Sequence, residues 1–187
     1  MIVPYPLESE GTRVEEYGTK YTGGCPNCGM GRQLVGDIII PRRFLKQYDI
    51  GILEPDYYVS DRVRTQIENL NLTGISFQGN IRDYSNKPLG TTYHVCKFNH
   101  IMPPVAVETN LVEDKLVRCS EHCRLYMYGE IFYHRRDIHD MKDFNITCEY
   151  INNDETYQLI VSNRVRKMLI ENKVRVYHYT PIVIIDD

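Results

Sequence analysis

The chain nearly repeats itself, and the repetition limits what it can fold into. Val59-Ser60-Asp61-Arg62-Val63-Arg64 returns as Val161-Ser162-Asn163-Arg164-Val165-Arg166. Upstream, Gly36-Asp37-Ile38 followed by Arg42-Arg43 is echoed by Gly129-Glu130-Ile131 followed by Arg135-Arg136. Further upstream, Cys25-Pro26-Asn27-Cys28 is echoed by Cys119-Ser120-Glu121-His122-Cys123. Three landmarks recur in one order. The spacing is 161 − 59 = 102 residues at the Val-Ser motif and 119 − 25 = 94 at the cysteines, so the second copy carries insertions. Self-similarity of this kind sets the architecture before any residue-level reading.

Local patterns fill in each copy. Asp37 to Ile40 and Tyr57 to Val59 read as strands, and Pro41 can open a helical turn over Arg42 to Tyr48. Ser60 reads as a helix N-cap, with Val63, Ile67 and Leu70 on one apolar face. Asn71 to Gly74 stops that helix, and Ile75 and Phe77 alternate with polar residues as a half-buried strand. In the second copy Leu159 to Val161 is strand, and Ser162 caps a helix burying Val165, Met168 and Leu169. Val174 and Val176 alternate with Arg175 and Tyr177, and Pro181 to Ile185 is an apolar closing strand with a bulge or sheet edge at Pro181.

Residues 1–20 read as a polar tail or an edge strand, and Tyr93 to Phe98 as a strand between the copies. The expected fold is α+β: a duplicated strand–helix–strand unit around a shared pair of zinc knuckles. A soft boundary at residues 86–92 divides it into an N-terminal half, 1–88, and a C-terminal half, 89–187, or joins them in one integrated domain.

The 187 residues are 42 % hydrophobic, enough for a core and too many for a disordered chain. The net charge of −3 argues against a general nucleic-acid binder. No run reaches the ~18 apolar residues of a membrane span. Met1 to Pro6 has neither the basic start nor the apolar run of a signal peptide. The expectation is a cytoplasmic protein that keeps its six cysteines reduced, so metal binding, catalysis or plain burial comes before disulfides.

Cys25 and Cys28 have the two-residue gap that lets both sulfurs face one tetrahedral ion, and Cys119 and Cys123 have a gap of three, still within zinc-ligand range. The expected site is a structural Zn2+ held by Cys25, Cys28, Cys119 and Cys123, with His122 as the alternative fourth ligand. A redox role for Cys25 and Cys28 needs a thiolate at a helix start, which Gly29-Met30-Gly31 does not favour. Cys96 and Cys148 lie in strand-like runs and read as core.

The rest of the chain offers no catalytic constellation by pattern. Its histidines are scattered, and it contains no HExxH, GxGxxG, P-loop or Gly-x-Ser-x-Gly elbow. The expectation is a protein that is not an enzyme. Arg62, Arg64, Arg164 and Arg166 read first as a solvated helix face, and second as a patch for an anion or an acidic partner. Fifteen tyrosines suit an interface or strands.

These motifs resemble a known family. Cys25-Pro-x-Cys28-Gly29, a second cysteine pair past mid-chain and a Val-Ser-x-Arg-Val helix leading to a closing strand are similar to the double-CxxCG motif proteins. These are bacterial immunity proteins of polymorphic toxin systems. Cys119 and Cys123 depart from the pattern in spacing and lack a following glycine. The resemblance implies a cytoplasmic antidote that binds a cognate protein toxin and blocks it. The alternative from another class is a zinc-ribbon-type nucleic-acid-binding or regulatory protein, motivated by the cysteine pairs and the repeated arginines.

Overall fold

The protein is described here from a computed structural model covering residues 14–26, 30–45, 48–53, 55–118, 123–127, 129–151, 157–176 and 180–186, with backbone alone at 113–118, 123–124 and 126. Among the described residues it is a mixed α+β protein, mostly strands, with two α-helices.

In chain order the N-terminal half contains β1 (Lys20–Thr22), β2 (Gln33–Val35), β3 (Ile38–Ile40), β4 (Ile50–Leu53), β5 (Asp56–Ser60), α1 (Asp61–Asn69) and β6 (Ile75–Asp83). Next come β7 (Tyr93–Phe98), β8 (Leu111–Arg118), β9 (Cys123–Met127), β10 (Phe132–His134), β11 (Phe144–Ile146) and β12 (Tyr150–Ile151). The chain continues through β13 (Leu159–Val161), α2 (Asn163–Glu171) and β14 (Val183–Ile185). Short 3-10 turns at Val14–Tyr17, Arg42–Phe44, Val107–Thr109 and Arg135–Asp137 connect them.

The largest sheet has the order β3-β6-β7-β5-β4. Smaller pairs are β1-β2, β10-β14 and β11-β13, and β12-β9-β8 is a three-stranded sheet.

The strand registers recur at the two spacings found in the sequence. β3 runs parallel to β6 with Ile38 opposite Ile81, and β10 runs parallel to β14 with Phe132 opposite Val183. β4 is antiparallel to β5 with Ile50 opposite Val59, and β11 is antiparallel to β13 with Phe144 opposite Val161. Ile38 to Phe132 and Ile50 to Phe144 are each 94 residues, while Ile81 to Val183 and Val59 to Val161 are each 102. The extra length falls between β11 and β13, where β12 is interposed; only two residues separate β4 from β5, with Leu53 opposite Asp56.

The main core lies between α1, α2 and the strands beside them. Val63 and Ile67 of α1 meet Val165, Met168 and Leu169 of α2, with Ile50, Val59, Cys96, Phe144 and Val161 around them. Residues from both sides of the 86–92 boundary therefore share one cluster. A second cluster joins Val14, Ile38, Ile40, Tyr58, Ile81 and Val95, and a third joins Met102, Ile131, Tyr133, Ile151 and Ile160. Tyr57, Tyr58, Tyr93, Tyr133 and Tyr150 are all buried, so much of the tyrosine content serves packing.

Several expectations need correction. Leu70 is the C-cap of α1 and is exposed, because the helix ends one residue before it and turns it off the apolar face. Val174 to Val176 form no strand, although their burial alternates as expected. Cys148 sits half-buried in a bend between β11 and β12 and not in a strand. The segment read as tail or edge strand contains the 3-10 turn at Val14–Tyr17, which buries Val14, and then β1. Residues 1–13 lie outside the described residues.

Each helix ends in the same way. Asn71 (φ 49°) follows α1 and Lys173 (φ 48°) follows α2, both left-handed. Leu72 N–H then donates to Ile67 O (3.0 Å) and Val174 N–H to Leu169 O (2.9 Å). After α1 the chain runs hard against β11. Gly74 has φ +88°, and a Cβ there would collide with the Phe144 carbonyl oxygen. Gly74→Ala should therefore cost about 2–3 kcal/mol in denaturant unfolding, because left-handed strain and a backbone clash add. Gly90→Ala is the control. It has a similar φ of +87° with open space around it, and should cost about 1 kcal/mol. Equal losses would disprove the close approach.

Candidate functional site

The repeated Ser-x-Arg motif is the most chemically distinctive element of the chain, and the fold sets each copy, at the start of its own helix, beside the end of the other helix. Ser60 Oγ donates to Asp49 Oδ1 (3.0 Å), and Ser162 Oγ donates to Asp143 Oδ1 (2.8 Å). Arg62 reaches Asp49 Oδ2 at 2.7 Å, and Arg164 reaches Asp143 Oδ2 at 3.4 Å. The second half of each guanidinium crosses to the opposite helix. Arg62 donates to the carbonyl of Asn172, the C-cap of α2, at 2.6 Å, and Arg164 donates to the carbonyl of Leu70, the C-cap of α1. Each arginine thus neutralises the negative end of the other helix and satisfies a carbonyl without an intrahelical partner.

The aspartates complete the exchange. Arg175 N–H, beyond α2, donates to Asp49 Oδ2 at 2.8 Å, while Thr73 N–H, beyond α1, donates to Asp143 Oδ2 at 2.9 Å. In return Asp49 N–H donates to Arg175 O and Phe144 N–H to Thr73 O, both at 2.9 Å. Each half therefore receives the chain leaving the other half's helix. Burial alone would raise the pKa of Asp49. The Arg175 N–H, the Arg62 guanidinium and the Ser60 hydroxyl outweigh it and hold the carboxyl below its ordinary value. Burial is likewise outweighed at Asp143 by the Thr73 N–H, the Ser162 and Thr73 hydroxyls and Arg164.

This arrangement extends one sequence expectation and corrects another. Arg62 and Arg164 are exposed with an acid beside each, as a solvated helix face would be, and they also latch the two helices to each other. Ser162 does cap α2, accepting from Val165 N–H at 3.3 Å. Ser60 makes no side-chain cap bond; its hydroxyl goes to Asp49 alone. Asp49 and Asp143 were not singled out from sequence. The available signal was their own spacing, 143 − 49 = 94, the offset already seen at the cysteines.

Arg64 lies in a different cluster. It donates to His94 Nδ1 (3.1 Å), pairs with Glu68 (2.8 Å) and stacks over Phe77. Because arginine only donates, Nδ1 of His94 accepts, and Nε2–H donates to Asp61 Oδ1 at 2.9 Å. His94 is buried in β7, both ring nitrogens are engaged, and no hydroxyl or thiol is among these partners. Arg166, at the equivalent place on α2, is exposed and makes no ion pair among the described residues.

Cys25 lies between the antiparallel strands β1 and β2, where Thr22 faces Gln33, and Cys123 opens β9, which is antiparallel to β8 with Arg118 opposite Cys123. Cys25 is buried, and its N–H donates to Met30 O at 2.8 Å, closing the loop that carries it. Cys28, Cys119 and His122 lie outside the described residues, and Cys123 is described only as the first backbone position of β9. Among the described residues no group of three or more His, Cys, Asp or Glu is arranged to hold a metal ion. Cys96 is buried in β7, as expected for a core thiol, and burial keeps it protonated.

The β1-β2 pair is tied to the main sheet through Tyr21, whose hydroxyl donates to Asp56 Oδ2 at 2.8 Å, with Arg32 over the Tyr21 ring and paired with Glu15. Burial pushes the Asp56 carboxyl up to about 6, only partly offset by the Tyr21 hydrogen bond and Arg32. Its folded pKa exceeds the unfolded value of about 3.9, so its stabilising neutral form prevails below pH 4 and is lost as pH rises through about 6. Asp56→Asn should equal the parent in stability near pH 4 and exceed it by roughly 1–2 kcal/mol at pH 7.5. A stability difference that does not change between those pH values would contradict this.

Compared with known proteins, the chain matches no family model and no curated protein sequence. Among the described residues no helix is long and apolar enough to cross a membrane.

Proposed function

We propose that this chain is an immunity protein that binds a cognate bacterial protein toxin in the cytoplasm and neutralises it by direct contact. It is built from a duplicated strand–helix–strand unit and stapled by a structural zinc at Cys25, Cys28, Cys119 and Cys123. The reading starts from the resemblance of the cysteine and Val-Ser-x-Arg-Val motifs to the double-CxxCG immunity proteins.

One observation carries it further. The repeated Ser-x-Arg motif is occupied in holding α1 and α2 to each other, through Asp49, Asp143 and the helix C-caps. A chain whose most distinctive polar groups serve its own rigidity offers a preorganised surface, which suits tight protein binding. The matching offsets of strand register and latch support the duplication. A four-thiolate zinc with no open position would hold structure and not perform chemistry.

The test is co-expression with a toxin encoded beside this chain's gene. Restored growth and a stable toxin complex are expected. Failure of the pair to associate, with growth still arrested, would refute the reading.

A further inference from the structure

We propose that a partner protein inserts an extended strand, bearing a carboxylate side chain, between β13 and β14. This deepens the antitoxin reading, on which the choice of partner rests.

In the N-terminal half β7 lies between β5 and β6 and is antiparallel to both, with His94 opposite Val59 on one side and Asn80 on the other. The counterparts of β5 and β6, by register, are β13 and β14. Among the described residues no strand stands between those two: β13 pairs only with β11, and β14 only with β10.

A cavity of about 420 Å³ opens there, lined by Val161, Ser162, Asn163, Arg166, Ile170 and the Pro181–Ile182 segment. Val161 and Ile182 are the residues 102 positions beyond Val59 and Asn80, so the cavity is centred where the counterpart of His94 would sit.

The lining states what would fill it. His94 is held by Asp61 and Arg64, whose counterparts are Asn163 and Arg166. Arg64 is also paired with Glu68, but the counterpart of Glu68 is Ile170. Arg166 is thereby left exposed and without an acid among the described residues, beside an Ile170 that is 52 % exposed. A Glu or Asp on the incoming strand would meet both Arg166 and the Asn163 amide, while an apolar neighbour would cover Ile170. Backbone bonds would come chiefly from the β13 side, because Pro181 has no N–H to give. In the N-terminal half Asp61 N–H donates to Thr92 O at 2.8 Å; Asn163 N–H holds the corresponding place.

The probe is a synthetic peptide of residues Thr92–Asn99 carrying His94→Glu and Cys96→Ser, titrated into the full-length protein and followed by amide NMR. Shifts centred on Val161, Asn163, Arg166 and Ile182 are expected. Asn163→Pro should weaken binding about tenfold or more while the fold survives. Proline is favoured at the first residue of a helix, and Ser162 (φ −66°, ψ 163°) already has the extended backbone that precedes one. Arg166→Glu should weaken binding similarly, and a peptide with Lys in place of the new Glu should restore it.

Shifts elsewhere, or binding indifferent to both substitutions, would overturn the proposal. So would a dimer that forms without peptide and dissociates in Arg166→Glu, since a second copy would then be the occupant. Toxin rescue that survives both substitutions, with no peptide binding, would remove the strand slot and leave the antitoxin reading in place. Peptide binding at the slot without any rescue would do the reverse.

Discussion

Asp143→Ala should lower the free energy of unfolding by about 4 kcal/mol, measured by denaturant titration at pH 7. The carboxylate is nearly buried and serves four donors: Thr73 N–H, the Thr73 hydroxyl, the Ser162 hydroxyl and Arg164. Truncation leaves the Thr73 and Ser162 groups without an acceptor in a place water reaches poorly. Such orphaned groups cost about 1–3 kcal/mol each, offset by partial relaxation. Arg164 is 55 % exposed and rehydrates easily, so its own loss is small.

Asp143→Asn should recover about half of the loss. Its carbonyl can accept at the Oδ2 position, and its amide can donate to the Ser162 oxygen. The loss should also depend on pH. The folded pKa of Asp143 lies below its unfolded value of about 3.9. Its contribution is therefore present above that value and disappears as pH falls through the folded pKa, so parent and Asp143→Ala should converge in acid. A loss below about 1 kcal/mol at pH 7, or one unchanged at pH 2, would mean that the latch does not join the halves.

Purified protein should carry about one zinc per chain, and Cys25→Ser should remove it with a fall in stability on the order of 5 kcal/mol. Binding of a structural zinc is folding free energy, because the unfolded chain has no preformed site. The cysteine pairs lie ~90 residues apart in sequence, so the metal would close a loop that is costly for the chain to close alone. Cys25 is buried, and any substitution there disturbs packing to some degree. Chelation supplies the readout specific to zinc: it should lower the melting temperature of the parent and leave Cys25→Ser unaffected. Cys148→Ser, at a half-buried bend, should keep its zinc. Metal-free protein with a chelator-insensitive melting temperature would remove zinc from the account.

The legible parts of this chain were those written in neighbouring residues. Val63 and Ile67, and then Val165, Met168 and Leu169, announced the buried faces of two helices through their spacing, and the flanking strands at Tyr57 and Leu159 followed from β-rich runs. Leu70 was misplaced because the helix stops a residue early, and periodicity alone does not mark an end. Val174 and Val176 alternate like a strand, yet the backbone beside them bonds to Asp49 and its neighbour across the molecule and joins no ladder. The Arg62 and Arg164 positions were visible as a repeat, but their destinations were not.

The sequence alone determined the repeated local units, the α+β class and the cysteine pairs, because period, capping residues and turn chemistry act over a few residues. Tertiary structure decided what those units do to one another. Arg62 meets Asn172 across 110 residues, Arg164 meets Leu70 across 94, and Arg175 meets Asp49 across 126. No local pattern encodes a partner that distant. The packing of α1 against α2 alone brings each guanidinium within reach of the other helix's end, where a carbonyl and a buried carboxylate can hold it.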